Sequence, residues 1–194
     1  MSERLAVPLF GSLVDLEPLE ERHREELWEA AQDPRIWEWL AHLGEDRELF
    51  DRWFDLSREA SAEDREGVFA VRRQGEAVVG SSRFMAVRRP DRVVEIGWTW
   101  FNPSVWRSGV NLETKLLMLG HAFEALSCVR VELKTDARNE RSRTAIAALP
   151  AQFEGILRKH MIVPGIGQRD SAYYSVTDEE WPQVRANLLR RLSR

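Results

Sequence analysis

Partway along this chain the spacing of the apolar residues changes, and that change restricts the folds open to it. Over residues 20–31, 34–40 and 46–62 apolar positions recur at three- and four-residue intervals with little glycine, which predicts helices buried along one stripe. Asp33-Pro34 supplies an N-cap with proline at the first helical position. From Val68 onward the period shortens to two. Residues 68–73, the turn Gln74-Gly75 and residues 76–87 predict a hairpin, and after Arg89-Pro90-Asp91 residues 93–101 predict another strand. Ahead of the helices, Leu13, Asp15 and Glu17 alternate with Val14, Leu16 and Pro18, which predicts a short opening strand over residues 11–19.

The second half returns to mixed periods. Leu112, Leu116, Leu119, Phe123 and Leu126 fall near one helical stripe, with Asn111 as the expected cap. Val129, Val131 and Leu133 then alternate with Arg130, Glu132 and Lys134 as a strand with one apolar face. Asn139 opens a further helix with Ser142 at its third position, and Leu149-Pro150 stops it. Strands over residues 153–163 and 169–176 flank Gly165-Ile166-Gly167, and a last helix is expected from Thr177-Asp178. This order predicts an α/β (α+β) fold with a mixed sheet, neither regularly doubly wound nor an all-β barrel. With 194 residues and no repeat or linker, residues 1–194 are expected to form one domain.

Composition narrows the function classes. Twenty-eight bases against 32 acids leave a net charge of −4, which argues against nucleic acid as a partner. Lysine occurs only at Lys115, Lys134 and Lys159. Cys128 is the one cysteine, so an internal disulfide and a CxxC pair are both excluded. No apolar run approaches the ~18 residues of a membrane span and the first ten residues make no signal-peptide core, so a cytoplasmic protein with no membrane partner is expected. His23, His42, His121 and His160 lie far apart in sequence, and no metal is expected. Gly-Lys, GxGxxG and Gly-x-Ser-x-Gly patterns are all absent, which removes P-loop, dinucleotide and serine-hydrolase readings.

One stretch carries chemistry. The strand over residues 93–101 runs through Asn102-Pro-Ser-Val-Trp-Arg-Ser-Gly-Val-Asn111 into a helix. A helix N-terminus leaves about four amides unpaired and carries roughly half a positive charge, so it suits a phosphate. Ser108 and Gly109 are small enough to let an anion approach the backbone. A plain strand-to-helix connection capped by Asn111 explains the same residues, as capping alone explains Asn139 and Ser142. Two such junctions are also suited to flanking one elongated phosphate-bearing ligand.

The residues themselves resemble a family. Glu95-Ile-Gly-Trp-Thr-Trp100, Trp106-Arg-Ser-Gly-Val-Asn-Leu-Glu113, Leu116-Leu-Met-Leu-Gly-His-Ala-Phe-Glu124, Arg130-Val-Glu-Leu-Lys134, Asn139-Glu-Arg-Ser142, Phe153-Glu-Gly-Ile-Leu-Arg-Lys159 and Arg169-Asp170 follow one another as in the Gcn5-related N-acetyltransferases (GNAT). The closer likeness is to their ribosomal-protein (RimJ/RimL-like) branch. The resemblance implies a mostly antiparallel sheet splayed between its fourth and fifth strands, with acetyl-coenzyme A in the gap and no metal. Arg107, Ser108, Gly109, Val110 and Asn111 would cradle the pyrophosphate. Trp98, Thr99, Trp100 and Phe101 would pair with the pantetheine arm, Asn139 would hydrogen-bond the cofactor, and Ser142 would sit near its sulfur or its phosphates. The implied reaction moves acetyl to a primary amine, a protein N-terminus or a small molecule, by direct attack in a ternary complex. A homodimer is the state common in the branch.

Two departures stand out. Arg107 replaces a common glycine, which costs energy if the position needs a positive φ. Leu149-Pro150-Ala151 replaces the family's Leu-Gly turn. For the base, Glu95 is the first candidate, placed by alternation with Gly97 and Thr99 opposite Val94, Ile96, Trp98 and Trp100; a surface carboxylate paired with arginine is the other reading. Met161 stands near the sixth-strand glutamate that some relatives use, and His160 is adjacent, either a base or part of a basic surface strand. Ser142 is the implied donor to the leaving thiolate, with Tyr173 or Tyr174 as substitutes. Trp28, Trp37, Trp39 and Trp53 are read as core or as acceptor-cleft wall, and Glu45, Asp46 and Glu48 as a possible acidic cleft lining. Met161 and Arg107 also keep open an acyl-CoA-binding module that is catalytically weak or inactive.

Overall fold

The computed structural model describes residues 3–40 and 43–193; His42 lies outside them. Eight strands form one sheet: β1 (Leu9–Phe10), β2 (Val14–Pro18), β3 (Gly67–Arg73), β4 (Val78–Arg88), β5 (Val93–Phe101), β6 (Arg130–Asp136), β7 (Gln152–Val163) and β8 (Gly167–Thr177). Their spatial order is β1-β2-β3-β4-β5-β6-β8-β7. Every pairing is antiparallel except β5 with β6. The two-residue β1, too short to register as a pattern, precedes the predicted opening strand, so the family's fourth and fifth strands are β5 and β6 here.

Helices α1 (Arg24–Ala30) and α2 (Arg47–Ala62), with a 3-10 turn over Pro34–Trp39, cover one face of the sheet. Helices α3 (Val110–Gly120), α4 (Glu140–Ala147) and α5 (Trp181–Leu192) lie on the other. Local chemistry sets their starts. The Asp46 carboxylate accepts from the Glu48 and Leu49 amides to cap α2, and Asp33 accepts from Arg35 N ahead of Pro34. The last helix begins four residues later than the sequence predicts. Glu180 accepts from both the amide and hydroxyl of Thr177, which closes a turn there and delays α5 to Trp181.

Two apolar cores result. Val94, Ile96, Phe101, Val131, Leu133, Met118 and Leu119 pack under α3 and α5. Trp37, Phe50, Trp53, Phe54 and Trp100 pack under α1 and α2, with Trp37–Trp100 ring centroids 5.4 Å apart.

Candidate active site

The parallel pair β5–β6 is hydrogen-bonded only over Val93–Glu95 and Arg130–Glu132. Beyond that β6 continues on β8 alone, so the β6-facing edge of β5 from Ile96 to Phe101 has no strand partner. A bulge drives the divergence. Ser81 opposes Trp100 and Arg83 opposes Gly97, so β5 spends one more residue than β4, and Trp98 takes φ +47°. The extra residue reverses the predicted facing. Trp98 and Trp100 join Glu95 and Gly97 on the α2 side, while Thr99 and Phe101 turn to the α3 side with Val94 and Ile96. Strict alternation across residues 93–101 is therefore corrected at Trp98.

After β5 the chain turns through Asn102, whose side chain accepts from Ser104 N, and reaches α3. Arg107 has φ +64° and Gly109 φ +90°. Gly109, not Asn111, is the N-cap, and Asn111 lies inside the first turn. The cap position demands a left-handed backbone, which asparagine's side chain does not need to provide when glycine precedes it. Ser108 Oγ donates to the Val105 carbonyl at 2.6 Å, folding the loop on itself. Among the described residues, the amides of Arg107, Gly109, Asn111 and Leu112 have no acceptor. A row of unpaired N–H groups at a helix start is an anion cradle.

The second junction, β6 to α4, lies at the same end of the parallel pair. Asn139 caps α4 through Oδ1, which accepts from Ser142 N at 3.0 Å. The Ser142 side chain is half-buried and its hydroxyl has no partner among the described residues. Arg141 of this first turn stacks 4.2 Å above the Trp106 ring of the other junction, so the two loops meet.

Facing the gap is a polar cluster that sequence reasoning found only in part. Glu95 is 2% exposed, not a surface group, and its Oε2 accepts from Lys134 Nζ at 2.8 Å, not from an arginine. Lys134 lies 5.8 Å from the Tyr173 ring. The Tyr173 hydroxyl reaches His160 Nε2 at 3.3 Å, and His160 Nδ1 reaches Ser171 Oγ at 3.1 Å. His160 thus turns inward while Arg158 and Lys159 stay exposed; Lys159 takes φ +52° at a bulge in β7. Burial, with Lys134 and Arg169 close by, lowers the His160 pKa below its ordinary 6.5 and so favours the neutral ring. Tyr174 instead is buried in the core, its hydroxyl accepting from Arg143. The sign of Lys134's role was visible only in the Arg130/Glu132/Lys134 alternation, which places it on the same face as Glu95 once the strands are known to be parallel.

The tryptophans of the helical segment divide between the core and a cavity wall. Trp37 is fully core and Trp28 packs partly buried against the same cluster, whereas Trp53 lines a cavity of about 390 Å³. Its wall is Leu49, Arg52, Trp53, Leu56, Ser57, Ala60, Arg65, Glu66, Arg83 and Trp98, and none of Glu45, Asp46 and Glu48 is part of it. Among the described residues no group of three or more His, Cys, Asp and Glu side chains is placed to hold a metal, and no helix is long and apolar enough to cross a membrane.

These features have counterparts. A family model described as an acetyltransferase (GNAT) domain matches residues 14–151. An uncharacterized N-acetyltransferase, YoaA of Bacillus subtilis, is 28% identical over 109 residues, covering 56% of this chain and 61% of that protein's length. The crystal structure of a GCN5-related N-acetyltransferase from Brucella melitensis is 30% identical, with a TM-score of 0.86 over 98% of this chain and 90% of that one. RimJ of Mycobacterium smegmatis, solved with CoA-disulfide, shares the fold at 23% identity, with a TM-score of 0.80 over 95% of this chain and 93% of that one. With the splayed parallel pair and the cradle at α3 already in place, the match settles the family: this chain belongs to the GNAT acetyltransferases.

Proposed function

We propose that residues 1–194 form one N-acetyltransferase domain that moves acetyl from acetyl-coenzyme A to a primary amine by direct attack in a ternary complex. The observation that carries this is the unpaired edge of β5 lying next to the acceptor-free amides of Arg107, Gly109, Asn111 and Leu112. Acetyl-coenzyme A would supply the activated acetyl thioester. In this reading residues 107–111 hold its pyrophosphate, the edge from Trp98 to Phe101 pairs with its pantetheine arm, and Asn139 and Ser142 border its sulfur end.

The chain's own groups divide the work. Amides freed at the Trp98 bulge are donors for a carbonyl oxygen gaining negative charge. Glu95 takes the amine proton through Oε1, the oxygen Lys134 leaves free. Ser142 returns a proton to the leaving sulfur. A second reading makes neutral His160 the base, favoured by its place against Tyr173. The lone buried Cys128, its thiol pushed up to about 11 by burial, suits a reducing cytoplasm.

Calorimetric titration with acetyl-coenzyme A tests the first half, and no heat at millimolar cofactor rejects it. Thiol release over a panel of amines and peptides then separates an enzyme from a binding module. Glu95→Gln is expected to lower turnover by about 100-fold; an unchanged rate with a deficit in His160→Asn transfers the role to His160. A homodimer is tested by light scattering.

A further inference from the structure

The cavity beside Trp98 is built from one stripe of α2, since Leu49, Arg52, Trp53, Leu56, Ser57 and Ala60 recur at three- and four-residue steps. Opposite that stripe stands Arg83 of β4, only 7% exposed. Its guanidinium lies between two indoles, 5.6 Å from the Trp53 ring and 5.4 Å from the Trp98 ring. One Nη donates to Glu66 at 2.8 Å and the other to Ser57 Oγ at 2.9 Å. That leaves Arg83 Nε, and also Trp53 Nε1, buried with no acceptor among the described residues. Native proteins rarely leave such donors unmatched, and two side by side on one cavity wall call for an acceptor, whether water or a bound group.

Charge on the wall points the same way. Arg65 is paired with Glu63 and Arg83 with Glu66, but Arg52 is exposed and has no ion pair among the described residues. Leu49 and Leu56 are both about half exposed beside it. The wall therefore offers a free guanidinium, a buried guanidinium with an open N–H and an apolar rim, with Glu66 as its single carboxylate.

Register ties the cavity to the reacting gap. Arg83 opposes Gly97 and Met85 opposes Glu95, so Arg83 and Glu95 lie on one face, one pleat repeat apart. Between them Gly97 carries no side chain, and a Cβ there would sit 2.7 Å from Met85 Sδ and 3.0 Å from Glu95 Oε1.

We propose that this cavity receives the acceptor, and that the acceptor is a small amine carrying a carboxylate and an apolar side chain, held by Arg52 and Arg83. The carboxylate meets the guanidinium groups, the apolar part lies on Leu49, Leu56 and the two indoles, and the amine points toward Glu95. This rests on the acetyltransferase reading above, and it selects among the acceptors that reading allows: a peptide N-terminus has an amide where this site expects an anion.

The test compares L-leucine and L-phenylalanine with L-leucinamide, L-phenylalaninamide and an amidated tripeptide beginning with leucine. Thiol release from acetyl-coenzyme A gives kcat/KM, and calorimetry without cofactor gives binding. The acids are expected to exceed the amides at least tenfold in kcat/KM. Arg52→Met, at an exposed position, is expected to bring that ratio toward one, and Arg83→Lys to lower it in protein that keeps its circular dichroism. Equal or faster turnover of the amides or the tripeptide preserves acetyl transfer and overturns the carboxylate site. Binding of L-leucine that Arg52→Met abolishes, with no thiol release from any amine, supports the site and counts against acetyl transfer. Neither binding nor release of any kind overturns the proposal.

Discussion

Lys115 is a buried base whose partners among the described residues are two hydroxyls. It projects from α3 beneath the β5 bulge, 2.5 Å from Thr99 Oγ1 and 3.4 Å from Ser82 Oγ. Those two hydroxyls also bond each other at 2.7 Å. Burial alone lowers the Lys115 pKa from 10.5 to about 7. At about 1.4 kcal/mol per pH unit, the gap between 10.5 and about 7 makes charging this amine in the folded state cost about 5 kcal/mol. The sign follows from which state holds the proton. Below pH 7 both states are protonated and the folded state bears the whole penalty. Between pH 7 and 10.5 the unfolded chain keeps a proton that the folded one has lost, so this group's penalty fades as pH rises. Lys115→Met keeps the apolar stem, and Ser82 and Thr99 keep each other. The variant is expected to be about 3 kcal/mol more stable at pH 7, after subtracting about 1 kcal/mol for the lost hydrogen bond. The wild type should then recover about 3.5 kcal/mol relative to it between pH 7 and 10. Urea unfolding of both proteins across that range measures the difference. A difference that stays flat with pH would refute the reasoning, because only a lysine that stays charged in the fold across that range, as it does in the unfolded chain, gives no slope.

Other groups on the same framework give shorter tests. Glu113 accepts from Ser12 N, Ser12 Oγ, Leu13 N and Val14 N; burial opposes its charge, but the Ser12 hydroxyl and these amides outweigh it and hold its pKa below the usual 4.5. Glu113→Gln is expected to cost about 2–3 kcal/mol at neutral pH in urea unfolding, and to lose less stability than the wild type as pH falls below 4.5. At Arg107, with φ +64°, glycine should hold stability within about 1 kcal/mol while valine costs about 1–2 kcal/mol more, read as unfolding midpoints. A salt-dependent loss of coenzyme A affinity in Arg107→Gly would assign its guanidinium to a phosphate. Ser142→Ala is expected to lower turnover at least tenfold with acetyl-coenzyme A affinity within twofold, and an unchanged turnover removes the hydroxyl from proton donation.

What the sequence disclosed and withheld divides along a physical line. Elements whose limits are set within a few residues were legible: Asp33 and Asn139 cap the turns expected of them, and the hairpin over residues 67–88 follows its period. The errors arise where a distant strand decides. Alternation along residues 93–101 fails because β4 and β5 differ by one residue between Ser81 and Arg83, a count no single strand contains. Nothing along the strand marks Arg83, whose burial comes from Trp53 of α2 and Trp98 of β5 closing over it. Glu95 stands out in the sequence as a candidate, yet its burial and its lysine partner depend on a parallel pairing that only the sheet order reveals.

Helix α3 is where these separate observations become one mechanism. Its first turn presents the open amides; three residues in, Glu113 ties it to the turn between β1 and β2; two residues further, Lys115 reaches the other way to Thr99. Glu113 and Lys115 are two positions apart, about 200° around the helix, so the helix is braced from opposite sides. An anion drawn to the amides at residues 107–112 cannot move that end of the helix without disturbing one brace or the other. The same Lys115 contact pins Thr99 next to Trp98, so the bulge that opens the β5 edge is fixed to the helix that presents the open amides. Distance between cradle and edge is thereby held by the Glu113 and Lys115 side chains as well as by the loop over residues 102–108. A ligand spanning both would meet a gap already at its working width, which is the preorganisation that lets binding energy go into the reaction instead of into ordering the site.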